Sequence, residues 1–176
     1  MKHPCVFFDR DGIVNVSPGP GYVERWEDFR LMPGFPDILR TVREHGYLAV
    51  VVTNQRGVAR GMMTAGAVET IHRNLRALLE REHGLRLDDI LCCPHERDSC
   101  TCRKPQPGML LDAAQRHNID LQASWMIGDS ESDIEAGRRA GCRTILVSIE
   151  PGATRADVIV PDIRALGKQL GTLLQA

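Results

Sequence analysis

Apolar residues along the chain gather in short runs, separated by stretches in which they return every three or four positions. Runs at 5–8, 48–53, 90–93, 125–128, 144–147 and 157–160 are rich in Val, Ile, Leu, Phe and Cys and have the length of strands. The run Leu48-Ala49-Val50-Val51-Val52 is apolar on both faces, as in a parallel sheet covered by helices on each side. Between most runs lie amphipathic stretches. The stretch 36–44 carries Ile38, Leu39 and Val42, 67–81 carries Ile71, Leu75, Leu78 and Leu79, and 108–117, 131–140 and 163–174 also read as helices. Strands alternating with helices predict an α/β fold, a Rossmann-like open parallel sheet with helices on both faces. Ligands of such sheets bind beyond the carboxyl ends of the strands.

Polar residues cluster at those predicted ends: Asp9 and Asp11, Thr53 and Asn54, Cys93 and His95, Asp129 and Asp133. Side chains at i and i+2 of a strand point to one face, so Asp9 and Asp11 would meet one cleft as the chain turns at Gly12. Taken alone, Asp-x-Asp-Gly equally suits a surface turn. The Gly- and Pro-rich segment 12–33 reads as a loop over the end of the first strand, with no room for a large inserted cap. A single domain over 1–176 is expected.

A net charge of −1 without long blocks of one sign gives no broad footprint for nucleic acid or an anionic membrane. Two Trp, two Tyr and four Phe are few for stacking on bases. No run approaches the roughly 20 apolar residues of a membrane span, and the N-terminus lacks the apolar core of a secretory signal. A cytoplasmic location is expected, and there the six cysteines are first tested as metal ligands. Cys93, His95, Cys100 and Cys102 provide three thiols and one imidazole within ten residues, a set that suits tetrahedral Zn²⁺. Four ligands leave no open position, so zinc would be structural in a loop at about 92–104; a redox-active or disulfide-linked cluster is the alternative. Cys92 would face opposite to Cys93, and Cys5 and Cys142 read as small core residues.

Asp9-Arg10-Asp11-Gly12, Thr53-Asn54, Lys104 within Cys102-Arg103-Lys104-Pro105, and Gly128-Asp129 with Asp133 fall in the order of the four motifs of the haloacid dehalogenase-like phosphatases, which the chain resembles. The resemblance implies hydrolysis of a phosphate monoester of a small metabolite. Asp9 would be the nucleophile and form an aspartyl-phosphate, and Asp11 the general acid and then base. Thr53 and Lys104 would hold the phosphoryl oxygens. Mg²⁺ would be held by Asp9, Asp129 and the backbone carbonyl of Asp11, with Asp133 supporting either the metal or Lys104.

The zinc loop and the missing cap narrow the resemblance to the heptose bisphosphate phosphatases and the related histidinol-phosphate phosphatases, and Gly21-Tyr22-Val23, the segment from Thr53 to Gly61 with Thr64, and the segment from Arg103 to Met109 look like the heptose branch. It implies removal of the 7-phosphate of D-glycero-D-manno-heptose 1,7-bisphosphate. Gly19, Pro20, Gly21 and Tyr22 would line the substrate mouth, and Asn54, Gln55, Arg56 and Arg103 would contact substrate. Three features depart from the heptose pattern: the short His95–Cys100 spacing, closer to the histidinol-phosphate branch; Arg56, where a small Ser is usual; and Ser130, where a Lys often follows the motif-four Asp. Arg56 suits either a solvated loop charge or a second phosphate. The leaving group thus stays open between heptose bisphosphate and histidinol phosphate. A zinc-binding interaction module without catalysis is the alternative from another class. Without a cap, a monomer is expected.

Overall fold

The strands β1 (Cys5–Phe8), β2 (Leu48–Asn54), β3 (Asp89–Cys93), β4 (Trp125–Gly128), β5 (Arg143–Val147) and β6 (Val158–Val160) join in one all-parallel sheet in the order β3-β2-β1-β4-β5-β6. The structure is a computed structural model and describes residues 1–175. The helices are α1 (Phe35–Glu44), α2 (Ala65–His83), α3 (Gly108–His117), α4 (Glu131–Ala140) and α5 (Ile163–Gln175). Each expected strand and helix is present, with ends shifted by at most two residues. The largest shift is in α2, which caps lengthen at both ends. Thr64 Oγ1 accepts from Ala67 N at 3.1 Å, and Gly84 closes the last turn in the left-handed region at φ +65°.

The two-sided strands divide the core. Phe8, Val51 and Ile127 face α1, α2 and α5, which contribute Ile38, Leu39, Ile71, Leu75, Leu166 and Leu170. Phe7, Val50, Val52 and Met126 face α3 and α4, through Met109, Leu110, Ala113 and Ala136. Burial of this apolar surface on both faces is the main favourable term in folding. Cys5 and Cys142 lie in the second core, as expected; Cys92 turns to the opposite face from Cys93, where it is half-buried beside α2.

The segment 12–33 is more than a cover. Ile13, Val14, Val23 and Phe29 are buried under it, and the Trp26 and Phe29 rings stack at 4.9 Å around a short 3₁₀ turn, Trp26–Asp28. It therefore anchors the first loop to the core. From β1 the chain moves outward to β2 and β3, then returns to place β4 on the other side of β1. That reversal opens a crevice at the carboxyl ends of β1 and β4. Among the described residues, no helix is long and apolar enough to cross a membrane.

Candidate active site

Asp9 leaves β1 with its amide still bonded to Ile127 O of β4 at 2.9 Å, so its side chain emerges in the crevice. The chain then turns at Gly12, φ +92°, where any Cβ would overlap the Asp129 carboxylate. Glycine there lets the loops after β1 and β4 meet. Gly128 has the same role toward Asp133, whose side chain occupies the space of a Cβ. Asp9, Asp129 and Asp133 bring carboxylate oxygens within 4.8 Å of one another.

One cation faces these three acids. Lys104 Nζ, almost fully buried, donates to Asp9 Oδ1 at 2.7 Å and Val52 O at 2.8 Å, and lies 2.6 Å from Asp133 Oδ1 in an ion pair outside hydrogen-bond angles. Burial alone would lower the lysine's pKa, but Asp133 and Asp9 outweigh it and hold the ammonium protonated. The acids pay for their proximity in acidity. Burial, then the charge of Asp133, push Asp9 up to about 7 against the pull of Lys104; Asp129 opens to solvent at the crevice, and partial desolvation with the charge of Asp133 pushes it in the same direction, to about 6. Asp133 Oδ2 caps α4, accepting from Ser130 N at 3.1 Å and Ser130 Oγ at 2.7 Å. With both oxygens engaged, Asp133 fixes Lys104 and the helix start. Asp9 and Asp129 retain free oxygens, a hard donor pair with excess negative charge that fits a divalent cation such as Mg²⁺.

Asp11 faces a different set. Its Oδ1 accepts from Asn15 Nδ2 at 2.9 Å and its Oδ2 from Gln55 Nε2 at 2.9 Å, while the buried Arg10 guanidinium donates to both oxygens at 3.1–3.2 Å. The two acids of Asp-Arg-Asp therefore have separate cations, Lys104 for Asp9 and Arg10 for Asp11. Thr53 is buried, and its hydroxyl accepts from Gln55 Nε2 at 2.8 Å. Asn54 grips the backbone of Lys104, donating to its carbonyl at 3.0 Å and accepting from its amide at 3.1 Å. The Asn54 and Gln55 side chains thus position Lys104 and Asp11.

Gly19, Gly21 and Tyr22 line a cleft of about 250 Å³ above Asp9 and Asp11; Pro20 lies on the same loop, outside the lining. A neighbouring cavity of about 600 Å³ is bordered by Asn54, Arg97, Arg103 and Lys104. Arg103 Nη1 is buried there without a partner. Arg56 stands beside Tyr22 and pairs with Glu96 of the thiol loop at 3.1 Å.

The four expected thiol-loop ligands converge. Cys102 Sγ lies 3.2 Å from the sulfurs of both Cys93 and Cys100, Cys93 and Cys100 are 3.5 Å apart, and His95 Nδ1 is 3.3 Å from Cys102 Sγ. All six cysteines are free thiols. Burial opposes charge on Cys100, but hydrogen bonds from Cys102 and from the amides of Arg103 and Cys102 bring it down to about 6. Cys102 is pushed well up, by burial first and then by its two thiol neighbours. One thiolate is thus favoured at the expense of the others, a conflict that a soft cation such as Zn²⁺ would resolve. The loop is tied to the site, since Gln55 N donates to Cys93 O at 2.8 Å and Ala59 N to Pro94 O at 3.2 Å.

Sequence reasoning passed over Arg10, Asn15, Arg97 and Glu96. Arg10 alone carried a signal, as a charge inside a motif that ends an apolar strand; the other three depend on loop paths that no periodicity records.

A family model described as HAD-hydrolase-like matches residues 101–165. The D-glycero-beta-D-manno-heptose-1,7-bisphosphate 7-phosphatase of Pseudomonas putida strain KT2440 is 35% identical over 94% of this chain and 98% of its own. The D-glycero-alpha-D-manno-heptose-1,7-bisphosphate 7-phosphatase of Mycobacterium bovis is 42% identical over 74% of this chain and 70% of its own. In three dimensions, the D,D-heptose 1,7-bisphosphate phosphatase from B. bronchiseptica, complexed with magnesium and phosphate, superposes with a TM-score of 0.85 at 32% identity, covering all of both chains. With the parallel sheet and the acids, threonine and lysine gathered at its strand ends, these likenesses show that the chain is a phosphatase and belongs to the haloacid dehalogenase-like family.

Proposed function

We propose that this phosphatase removes the 7-phosphate of D-glycero-D-manno-heptose 1,7-bisphosphate, through an aspartyl-phosphate on Asp9. The carrying observation is the division of cations between the two acids: Asp9 with Lys104 at 2.7 Å, and Asp11 with Arg10 at 3.1 Å. Relatives that share most of the chain are named for this heptose substrate. The cation-lined cavity beside the cleft, with Arg97 and Arg103, favours a substrate with a second anionic group.

An Asp9 oxygen attacks phosphorus, the bond to the sugar oxygen breaks, and that oxygen leaves with the electron pair. Asp11 supplies its proton. Water then attacks the aspartyl-phosphate, gives its proton to Asp11, and frees Asp9 and inorganic phosphate. Lys104 and the Thr53 hydroxyl offset the negative charge brought to Asp9. Asp9, Asp129 and the carbonyl of Asp11 are the residues that would hold Mg²⁺, which when bound neutralises phosphoryl charge. Asp133 serves by fixing Lys104.

Cys93, His95, Cys100 and Cys102 would hold a structural Zn²⁺, which when bound would fix the loop ending at Arg103 and Lys104. A reducing, cytoplasmic compartment suits four ligands of which three are thiols. With no cap to be supplied by another subunit, the working unit is a monomer.

Turnover of the α and β heptose bisphosphates, histidinol phosphate and simple sugar phosphates tests the assignment. A kcat/KM on a heptose bisphosphate at least about 100-fold above the others is expected, since a site built for a second anion rejects substrates lacking it. Equal, weak rates on all would sink it.

A further inference from the structure

His72, on α2 and outside every motif of the site, touches the acid/base machinery through one contact. Its Nε2 lies 3.2 Å from Arg10 Nη1. Arginine only donates, so His72 Nε2 must be the accepting nitrogen and the ring is the neutral tautomer with its proton on Nδ1. Burial, and then the adjacent guanidinium, push His72 down to about 3, in keeping with a neutral ring.

Arg10 is fully buried, and its side chain has two kinds of partner: the Asp11 carboxylate on Nε and Nη2, and His72 on Nη1. Its backbone carbonyl also receives the amides of Val14 at 2.8 Å and Asn15 at 3.0 Å, which pins the turn carrying Asp11. The guanidinium plane is thus held at both ends. Without the His72 acceptor, Nη1 would be a buried donor with no partner, and the guanidinium would pivot to satisfy it. Asp11 takes three of its five side-chain hydrogen bonds from that plane.

We propose that His72 is a positioning residue for the reaction: a neutral imidazole that sets the orientation of Arg10 and, through it, the aim of the Asp11 carboxyl group. The proposal rests on the acid/base reading of Asp11. Asp11 has two tasks, giving a proton to the leaving alkoxide and taking one from the water that clears the aspartyl-phosphate. p-Nitrophenolate is stable enough to leave unprotonated, so p-nitrophenyl phosphate separates the tasks. Its first turnover, which phosphorylates Asp9, does not need Asp11, whereas its second half-reaction does.

In His72→Leu, kcat on alkyl monoester phosphates should fall on the order of tenfold, as expected for a misaimed rather than missing group, with KM within about twofold. Rapid mixing with p-nitrophenyl phosphate should give an unchanged first turnover followed by a slower steady state, seen as a burst of about one equivalent of p-nitrophenolate. His72→Gln, whose amide oxygen reaches the place of Nε2, should restore wild-type behaviour. If His72→Leu does not fold, His72→Asn, whose acceptor is too short, replaces it against His72→Gln. Wild-type kinetics in the acceptor-less variant, an equal slowing of the first turnover, or no rescue by Gln would overturn the proposal. Asp11→Asn in the same assay separates the two levels: if it turns over alkyl phosphates normally, the acid/base reading itself fails.

Discussion

The carboxylate cluster at the ends of β1 and β4 and the thiol loop after β3 both crowd candidate metal ligands within 4.8 Å of one another, yet they are built in opposite ways. The first is held by the sheet: Asp9 and Asp129 follow core strands, and a buried lysine already answers part of their charge. The second has little secondary structure of its own. Only Cys93 sits on a strand and His95 is exposed, while Cys100 and Cys102 lean on the second core and Thr101 O accepts from Gly108 N at the start of α3 at 3.2 Å. A scaffold that exists without its ion suits chemistry, because it leaves ligand positions open. A loop with little secondary structure of its own and four convergent soft or borderline ligands suits a structural ion.

The sharpest break of this contrast is Asp9→Asn. Loss of the nucleophile should lower phosphate release at least about 1,000-fold, while the fold, which does not rely on Asp9, stays intact by circular dichroism. Retained turnover would remove the carboxylate cluster from the chemistry altogether.

Lys104→Met comes next, because it strips the cluster of its built-in cation. Asp9 and Asp133 would remain buried without their partner, a situation that costs about 3–5 kcal/mol. In a chain of this size the metal-free protein should melt roughly 10 °C lower, with turnover nearly abolished. An unchanged melting temperature would mean that the acids sit in more water than their burial implies.

On the loop side, Cys100→Ser should reduce bound zinc, measured by metal analysis, from about one equivalent to a small fraction. The disordered loop would no longer place Arg103 and Lys104, and kcat/KM should fall on the order of tenfold. Full activity with no zinc bound would show that the loop is shaped by its own contacts. The strand ends were legible in the sequence because parallel strands announce themselves as two-sided apolar runs, and the acids, Thr53 and Cys93 stand where those runs stop. Arg10 paired with Asp11, Asn54 gripping Lys104 and Gln55 bridging to Thr53 were not legible, since each is a choice of side-chain rotamer across a loop. The burial of Val23 and Phe29 was hidden for a related reason: a Gly- and Pro-rich segment has no period from which an inward face can be read.

The cluster's dependence on pH gives a smaller effect. Asp9 near 7 and Asp129 near 6 sit above the ordinary carboxylate range, so their protons compete with Mg²⁺ as the pH falls through those values. A carboxylate raised in the folded state lowers the stability of the metal-free protein as pH rises toward its folded pKa, and a bound cation removes that penalty. The gap in melting temperature between Mg²⁺-loaded and metal-free protein should therefore widen from pH 5 to pH 8. A gap independent of pH would show that the acids titrate normally.

The smallest effect lies where the two regions touch. Glu96, on the thiol loop, reaches Arg56 at 3.1 Å and Arg60 at 3.4 Å on the loop after β2, and its side chain is 47% exposed. Such a pair contributes no more than about 1 kcal/mol to stability, so Glu96→Gln should barely change the melting temperature. Its electrostatic consequence is larger than its structural one. Arg56 stands beside Tyr22 at the cleft, and freeing it from a carboxylate leaves an unopposed positive charge near an anionic substrate. KM should fall by about two- to threefold at low salt, with the difference vanishing once ionic strength shortens the screening length to a few ångströms. Arg56→Ser, which removes the cation, should raise KM instead. If both variants move KM in the same direction, Arg56 acts by bracing the two loops together, and the thiol loop reaches the chemistry through shape alone.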